Sequence, residues 1–272
     1  MRIIQYFLFN GGNSMGAKLN RTGEEYVNKK GEKIRIIKYN DSTNCDVLFL
    51  DYGWIEKNVK FKSVRTGQLR SPFTPTVYTV GYLGKDFYKY KNIKSLKQYE
   101  TWRNMLKRCY CEKALDVAEG YKKTIVDEEW HNFSTFYKWY NENYYTVEGE
   151  KMCLDKDITD KNSNKYSPKT CIFVPEKINL IFEKMKRDKS KNRSSLPLGV
   201  QWIKADSIYG ARCRVGEGKS IWLGRSNSIE ECFNRYKICK ENYIKQVADY
   251  YKGQIPQKVY DALYDYEVEI TD

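Results

Sequence analysis

No run of apolar residues in the chain approaches the ~18 to 20 that a membrane-spanning helix requires, and there is one histidine, no Cys-x2-Cys pair and a deficit of acidic side chains. The missing apolar run argues against a spanning segment. The Ile3–Phe9 stretch follows one Arg, precedes Asn10-Gly11-Gly12 and carries no small-residue cleavage site, so it reads as a strand or a leader, not a signal peptide. Met15 opens a more ordinary polar start. Without a Cys-x2-Cys knuckle, a zinc site drawn from Cys109, Cys111, Cys153 and Cys171 has little support, and these thiols read as small buried hydrophobes. The other cysteines, Cys45, Cys213, Cys232 and Cys239, are scattered too, which suits a reducing cytoplasm better than a disulfide framework.

The acidic deficit leaves 48 Lys and Arg against 35 Asp and Glu, a formal charge of +13 that attracts polyanions. Nucleic acid is the partner this favours once a membrane is set aside. The 24 tyrosines exceed what a core of this size needs, so some rings are expected to face a partner.

Pattern and punctuation predict an α+β chain of three small modules. Residues 1–80 read as β-rich, a twisted sheet or SH3-like barrel. Its strands are Lys33–Tyr39 and Asp46–Leu50, split by the turn formers Asn40–Asn44, and a turn at Asp51–Gly53 leads toward Lys60–Val64. Gly67, Pro72 and Pro75 mark its end. In residues 81–186 the spacing of Trp102, Met105, Leu106 and Cys109 predicts a helix over Tyr99–Cys111, with a second over Ser134–Tyr144. Strands at Met152–Ile158 and Cys171–Val174 then precede a helix opened by Pro175, the order of a ββα unit. Residues 187–196 close a basic stretch that reads as a linker. In 197–272, strands at Leu198–Ile203, Tyr209–Val215 and Ser220–Leu223 precede a helix from Ser228 to Tyr251. Ser228 and Glu231 stand at capping-box spacing, and the chain finishes in an acidic tail.

Over about 55 residues the last module carries Gly199-Val200, Tyr209-Gly210-Ala211-Arg212-Cys213-Arg214, Ile221-Trp222-Leu223-Gly224 and Ser228-Ile229-Glu230-Glu231-Cys232. This pattern resembles the AP2/ERF-type DNA-binding domain, which implies a three-stranded antiparallel sheet packed on a helix, with one sheet face in the major groove. Strand alternation alone puts Arg212 and Arg214 on a common face, and Arg can pair bidentately with guanine. Gln201, Lys204, Arg212, Arg214, Lys219 and Arg225 are the candidate DNA contacts. Trp202 and Trp222 would pack on sugars or support the core. The plainer alternative is a solvated polar face of an ordinary sheet.

The central module carries Trp102, Arg108-Cys109-Tyr110, Glu129-Trp130, Phe133, Phe136, Leu154-Asp155-Lys156-Asp157-Ile158, Tyr166-Ser167-Pro168-Lys169-Thr170-Cys171, Val174-Pro175 and Asn179. It resembles the HNH (ββα-metal) homing endonucleases of phage over residues 99 to 183. The resemblance makes Asp155 and Asn179 ligands of Mg²⁺ or another divalent cation. It puts Lys156 where the base histidine belongs and Thr170 where a positioning Asn belongs. A solvated Lys has a pKa near ~10.4 and cannot accept a proton at neutral pH, so Lys156 would stabilise a phosphate or leaving group instead. Asp155 and Asp157 are expected on opposite sides of a strand. His131, between Trp130 and Phe133, reads as structural or surface, with a displaced general base as the alternative.

In the first module Lys57, Lys60, Lys62, Arg65 and Arg70 suit phosphate contacts or a solvated face. Three functions stay open on sequence: a metal-dependent nicking enzyme on double-stranded DNA, a non-catalytic DNA-binding regulator, and a phage protein that blocks a host immune protein by binding it.

Overall fold

The computed structural model describes residues 19–116, 123–161, 163–187, 196–216 and 218–271, with side chains of 183–187 excepted. The Ile3–Phe9 run, Met15 and most of the basic stretch 187–196 lie outside the described residues. Chain contacts divide the molecule into two compact units, residues up to 76 with 82–89, and residues 77–81 with 90–272.

The first unit is built on alternation. In β2 (Lys33–Asp41) Ile34 and Ile36 are buried while Lys33 and Arg35 are exposed, and in β3 (Asn44–Phe49) Cys45, Val47 and Phe49 are buried. Asp41 closes the β2–β3 turn, its Oδ1 accepting the N–H groups of Thr43 at 2.7 Å and Asn44 at 3.0 Å. With β1 (Glu25–Val27) and β4 (Trp54–Val59) these form a four-stranded antiparallel meander in sequence order. No β1–β4 pairing closes it into a barrel among the described residues. The Lys60–Val64 stretch, read with the β pattern, is instead the short helix α1 (Phe61–Arg65), whose Phe61 and Val64, three apart, both pack into the sheet core.

In the second unit α2 (Lys97–Tyr110) buries Trp102, Met105, Leu106 and Cys109, the face the spacing predicts. Gly81 lies against that face so closely that a Cβ would stand 2.5 Å from Leu106 Cδ1. The short helix α3 (Glu112–Leu115) follows. β5 (Ile125–Val126) pairs in parallel with β7 (Lys165–Tyr166). α4 (Phe133–Asn143) is capped by Asn132, whose side chain accepts the Ser134 N–H at 3.0 Å. β6 (Met152–Asp155) and β8 (Ile172–Pro175) form an antiparallel pair leading directly into α5 (Glu176–Arg187). This is the expected strand, loop, strand, helix order. β6 is shorter than the predicted Met152–Ile158, because the Asp155 carboxylate turns the chain.

Beyond it, β9 (Val200–Ile203), β10 (Ile208–Val215) and β11 (Lys219–Ser226) make a three-stranded antiparallel sheet with β10 central. α6 (Ile229–Tyr250) packs on one face, and α7 (Gln257–Tyr264) follows. Ser228 caps α6 by accepting the Glu231 N–H at 3.1 Å. Glu231 does not complete the box and binds Ser226 Oγ and Arg235 instead. One apolar core runs through the β6–β8–α5 unit and the C-terminal sheet and helices, joining Ile172, Val174, Ile178 and Phe182 to Val200, Ala211, Cys213, Tyr236 and Ile244. The segments on either side of 187–196 are thus one packed body. The fold is mixed α+β with several small sheets, and no described helix is long and apolar enough to cross a membrane.

Candidate nucleic-acid interface

The central strand β10 sets the site. Its register puts Gly210 opposite Gln201 and Arg225, Arg212 opposite Trp222, and Arg214 opposite Ser220. Ala211 and Cys213, the intervening residues, are fully buried beneath α6, so Arg212 and Arg214 project from the other face and are exposed. A bulge between Ala211 and Arg212 shifts the pairing with β11, a common device for re-aiming side chains. The Trp222 indole crosses Gly210, where a Cβ would lie 2.4 Å from Cη2. The Arg212 guanidinium carbon stands 5.9 Å from the Trp222 ring centre. Glycine in mid-strand thus lets a large ring lie across the sheet beside an arginine. Trp222 stays 43% exposed. Arg214 makes no ion pair among the described residues.

Of the six predicted contacts, Gln201, Arg212, Arg214 and Arg225 share this face. Arg225 is bound to Asp206 at 2.6 Å in an exposed pair, worth about 0 to 1 kcal/mol and therefore exchangeable for a phosphate. Lys204 is exposed in the β9–β10 turn. Lys219 pairs with Val215, which the register assigns to the helix side, so it does not share the arginine face. Trp202 also belongs to that other side, opposite Tyr209 with ring centres 4.8 Å apart, and is 45% exposed. Gly210 was read in the sequence only as part of the strand pattern, although a glycine amid strand residues was a signal that something crosses it.

The β6–β8–α5 unit brings other groups together. Asp155, at the end of β6, is buried, and its Oδ1 accepts the N–H groups of Asp157 at 2.8 Å and Ile158 at 2.9 Å. The strand stops there, so the expected alternation of Asp155 and Asp157 across a sheet does not apply. Lys156 is buried too, and its Nζ donates to Asp157 Oδ1 at 2.5 Å and to the Ser163 carbonyl at 2.8 Å, 5.8 Å from the Tyr166 ring centre. A charge buried in this way is held by its partners and is not offered to a substrate. Thr170 serves the neighbouring turn, donating to the Lys165 carbonyl at 2.8 Å and standing 3.0 Å from Ser167 Oγ. Asn179 is half-buried on α5.

The implied divalent cation has little to bind here. Asp155 Oδ1 is committed to the turn, an ammonium follows in sequence, and among the described residues no three His, Cys, Asp or Glu gather as ligands. The donor set does not fit a preformed cation site. Cys109 and Cys171 lie near the same charges, and burial pushes both thiols up to about 12. At neutral pH they are protonated packing groups, not thiolates.

His131 packs against Tyr110. Its Nε2 lies 3.3 Å from the Tyr110 hydroxyl, which also accepts the Val126 N–H at 3.0 Å. Burial holds its pKa below the ordinary 6.5, against the pull of Glu128 and Asp127. In the first unit Lys57, Lys60, Lys62, Arg65 and Arg70 are all exposed.

No family model, curated protein or solved structure matches the chain.

Proposed function

We propose that this chain is a double-stranded DNA-binding protein of the kind carried by phage and mobile elements. Its C-terminal sheet enters the major groove with the Arg212–Arg214 face. The observation that carries the reading is the exposure of those two guanidinium groups, side by side on a sheet face turned from the helix, with Trp222 beneath Arg212. Arg212 and Arg214 meet guanine O6 and N7, Gln201 reaches an adjacent base edge, and Arg225 and Lys204 take phosphates. The exposed lysines and arginines of the first unit add salt-sensitive affinity without sequence preference.

The β6–β8–α5 unit resembles a nuclease centre, but we assign it a scaffolding role. Lys156 is spent on Asp157 and Ser163, and no group stands ready at its position to take a proton from water. Metal-dependent nicking through Asp155 and Asn179 is therefore the second reading.

The test is selection from a random duplex library by gel shift, followed by incubation of the enriched duplexes with Mg²⁺ or Mn²⁺. The proposal expects enrichment of a guanine-containing site and intact strands. Metal-dependent nicking that Asp155→Ala abolishes would restore the endonuclease reading. No enrichment at all, together with a stable complex with a host protein, would replace DNA binding by the protein-blocking role.

A further inference from the structure

The first unit carries an aromatic surface that the duplex-binding reading does not use. Tyr52, in the β3–β4 turn, is 44% exposed, and its ring centre lies 5.2 Å from that of Phe73. Trp54 opens β4 and meets Phe73 at 6.2 Å and Tyr88 at 5.9 Å, both edge to face. Tyr82 joins Phe73 at 6.1 Å. Tyr52 is the exposed ring of the five; Phe73, Tyr82 and Tyr88 are half-buried, as is Trp54, which packs against the sheet core.

Two buried carboxylates hold these rings in place. Glu32, 5% exposed, accepts hydrogen bonds from Ser71 Oγ at 3.1 Å, Thr74 Oγ1 at 2.7 Å and Asn28 Nδ2 at 2.5 Å, which fixes the loop that carries Phe73. Glu56, also 5% exposed, accepts from Trp54 Nε1 at 3.1 Å, from the Tyr88 hydroxyl at 2.8 Å and from Lys89. Trp54, Tyr88 and the Phe73 loop are thus held in place before any ligand arrives, which lowers the ordering cost of binding.

The charge beside the rings selects the ligand. Lys85 Nζ stands 5.7 Å from the Trp54 ring centre and 5.9 Å from that of Phe73, while the ammonium of the exposed Lys89 is paired with Glu56. A cationic peptide would be repelled by the Lys85 ammonium, and a proline-rich segment would leave it unused. Flat rings next to a flexible ammonium group match a nucleobase joined to a phosphate. Bases locked in a duplex do not present their faces, whereas those of a single strand do.

We infer that the Tyr52–Phe73–Trp54 surface binds a short single strand of nucleic acid. A base stacks on Tyr52 and a flanking phosphate rests on Lys85. This site is distinct from the C-terminal sheet and does not depend on it.

The experiment is fluorescence anisotropy of the full chain with a fluorescein-labelled oligothymidylate of about ten nucleotides. Binding is measured for the wild type, Tyr52→Ala, Tyr52→Trp and Lys85→Gln, beside binding of the duplex selected above and a thermal melt. Tyr52→Ala is expected to weaken oligonucleotide binding about tenfold, with duplex binding and melting unchanged, while Tyr52→Trp retains it. Lys85→Gln, on the surface, is expected to lower the salt slope by about one ion, and it keeps the test valid if Tyr52→Ala does not fold. The inference is overturned if the wild type fails to bind the oligonucleotide or if neither Tyr52→Ala nor Lys85→Gln changes binding. It is equally overturned if Arg212→Ala with Arg214→Ala abolishes single-strand and duplex binding together, or if a proline-rich peptide binds in place of the strand.

Discussion

Arg212 and Lys156 show how the same kind of charge takes opposite roles according to its surroundings. Arg212 stands over an indole at the surface, where a guanidinium is weakly hydrated and available. Lys156 is buried and ion-paired at 2.5 Å, so removing its partner would strand a charge inside the protein. Asp157→Ala is therefore expected to destabilise the fold by about 3 to 5 kcal/mol, read as a fall in the urea midpoint; no change would show that the pair is not held as described. The histidine makes a pH prediction. Its pKa is depressed in the folded state relative to 6.5, so the unfolded chain takes up the proton first as pH falls. The stabilising contribution of neutral His131 is complete above about pH 6.5 and is lost as pH falls toward the lowered folded value. A series of denaturant melts from pH 8 to 5 should show this loss in the wild type and a smaller one in His131→Asn, and parallel curves would contradict the assignment. The Lys at position 156 was legible in the sequence as a misfit for a base. Its partner was not, because the Asp155 turn that brings Asp157 to it depends on a side chain capturing backbone N–H groups, which strand periodicity does not reveal.

Among the elements, helices with a strong apolar face and strands with strict alternation were read close to their observed bounds. α2 and β2 are examples: burial on one face leaves a period that the chain cannot hide. Phe61–Arg65 was missed because five residues are too few to separate a helical from an extended spacing. The cap of α6 was legible as Ser228, and the structure keeps half of the box. Ser228→Ala is expected to cost about 1 kcal/mol, measured by chemical denaturation, with Ser228→Asp close to wild type. An alanine variant as stable as the wild type would mean that the hydroxyl contributes nothing to starting the helix. The sheet face carried by β10 was half legible. Alternation gave Arg212 and Arg214 a shared side, but the bulge after Ala211 and the indole lying across Gly210 arise from cross-strand packing that no single strand encodes.

At the scale of the whole molecule, composition pointed to a polyanion partner through the excess of basic residues, and that excess is spread over both compact units. It could not reveal that the residues before and after the basic stretch share a core, since a run of charges marks a solvated segment and says nothing of what packs on either side. The shared core means that the sheet presenting Arg212 and Arg214 is braced by the β6–β8–α5 unit. That gives the β6–β8–α5 unit a use without catalysis. The most direct test of the central claim is an anisotropy titration of the selected duplex, at two salt concentrations, with the wild type and the Arg212→Ala and Arg214→Ala variants. Each substitution is predicted to weaken the preferred site by about 1 to 3 kcal/mol and to blur its base preference. Wild-type affinity and preference in both variants would contradict the account.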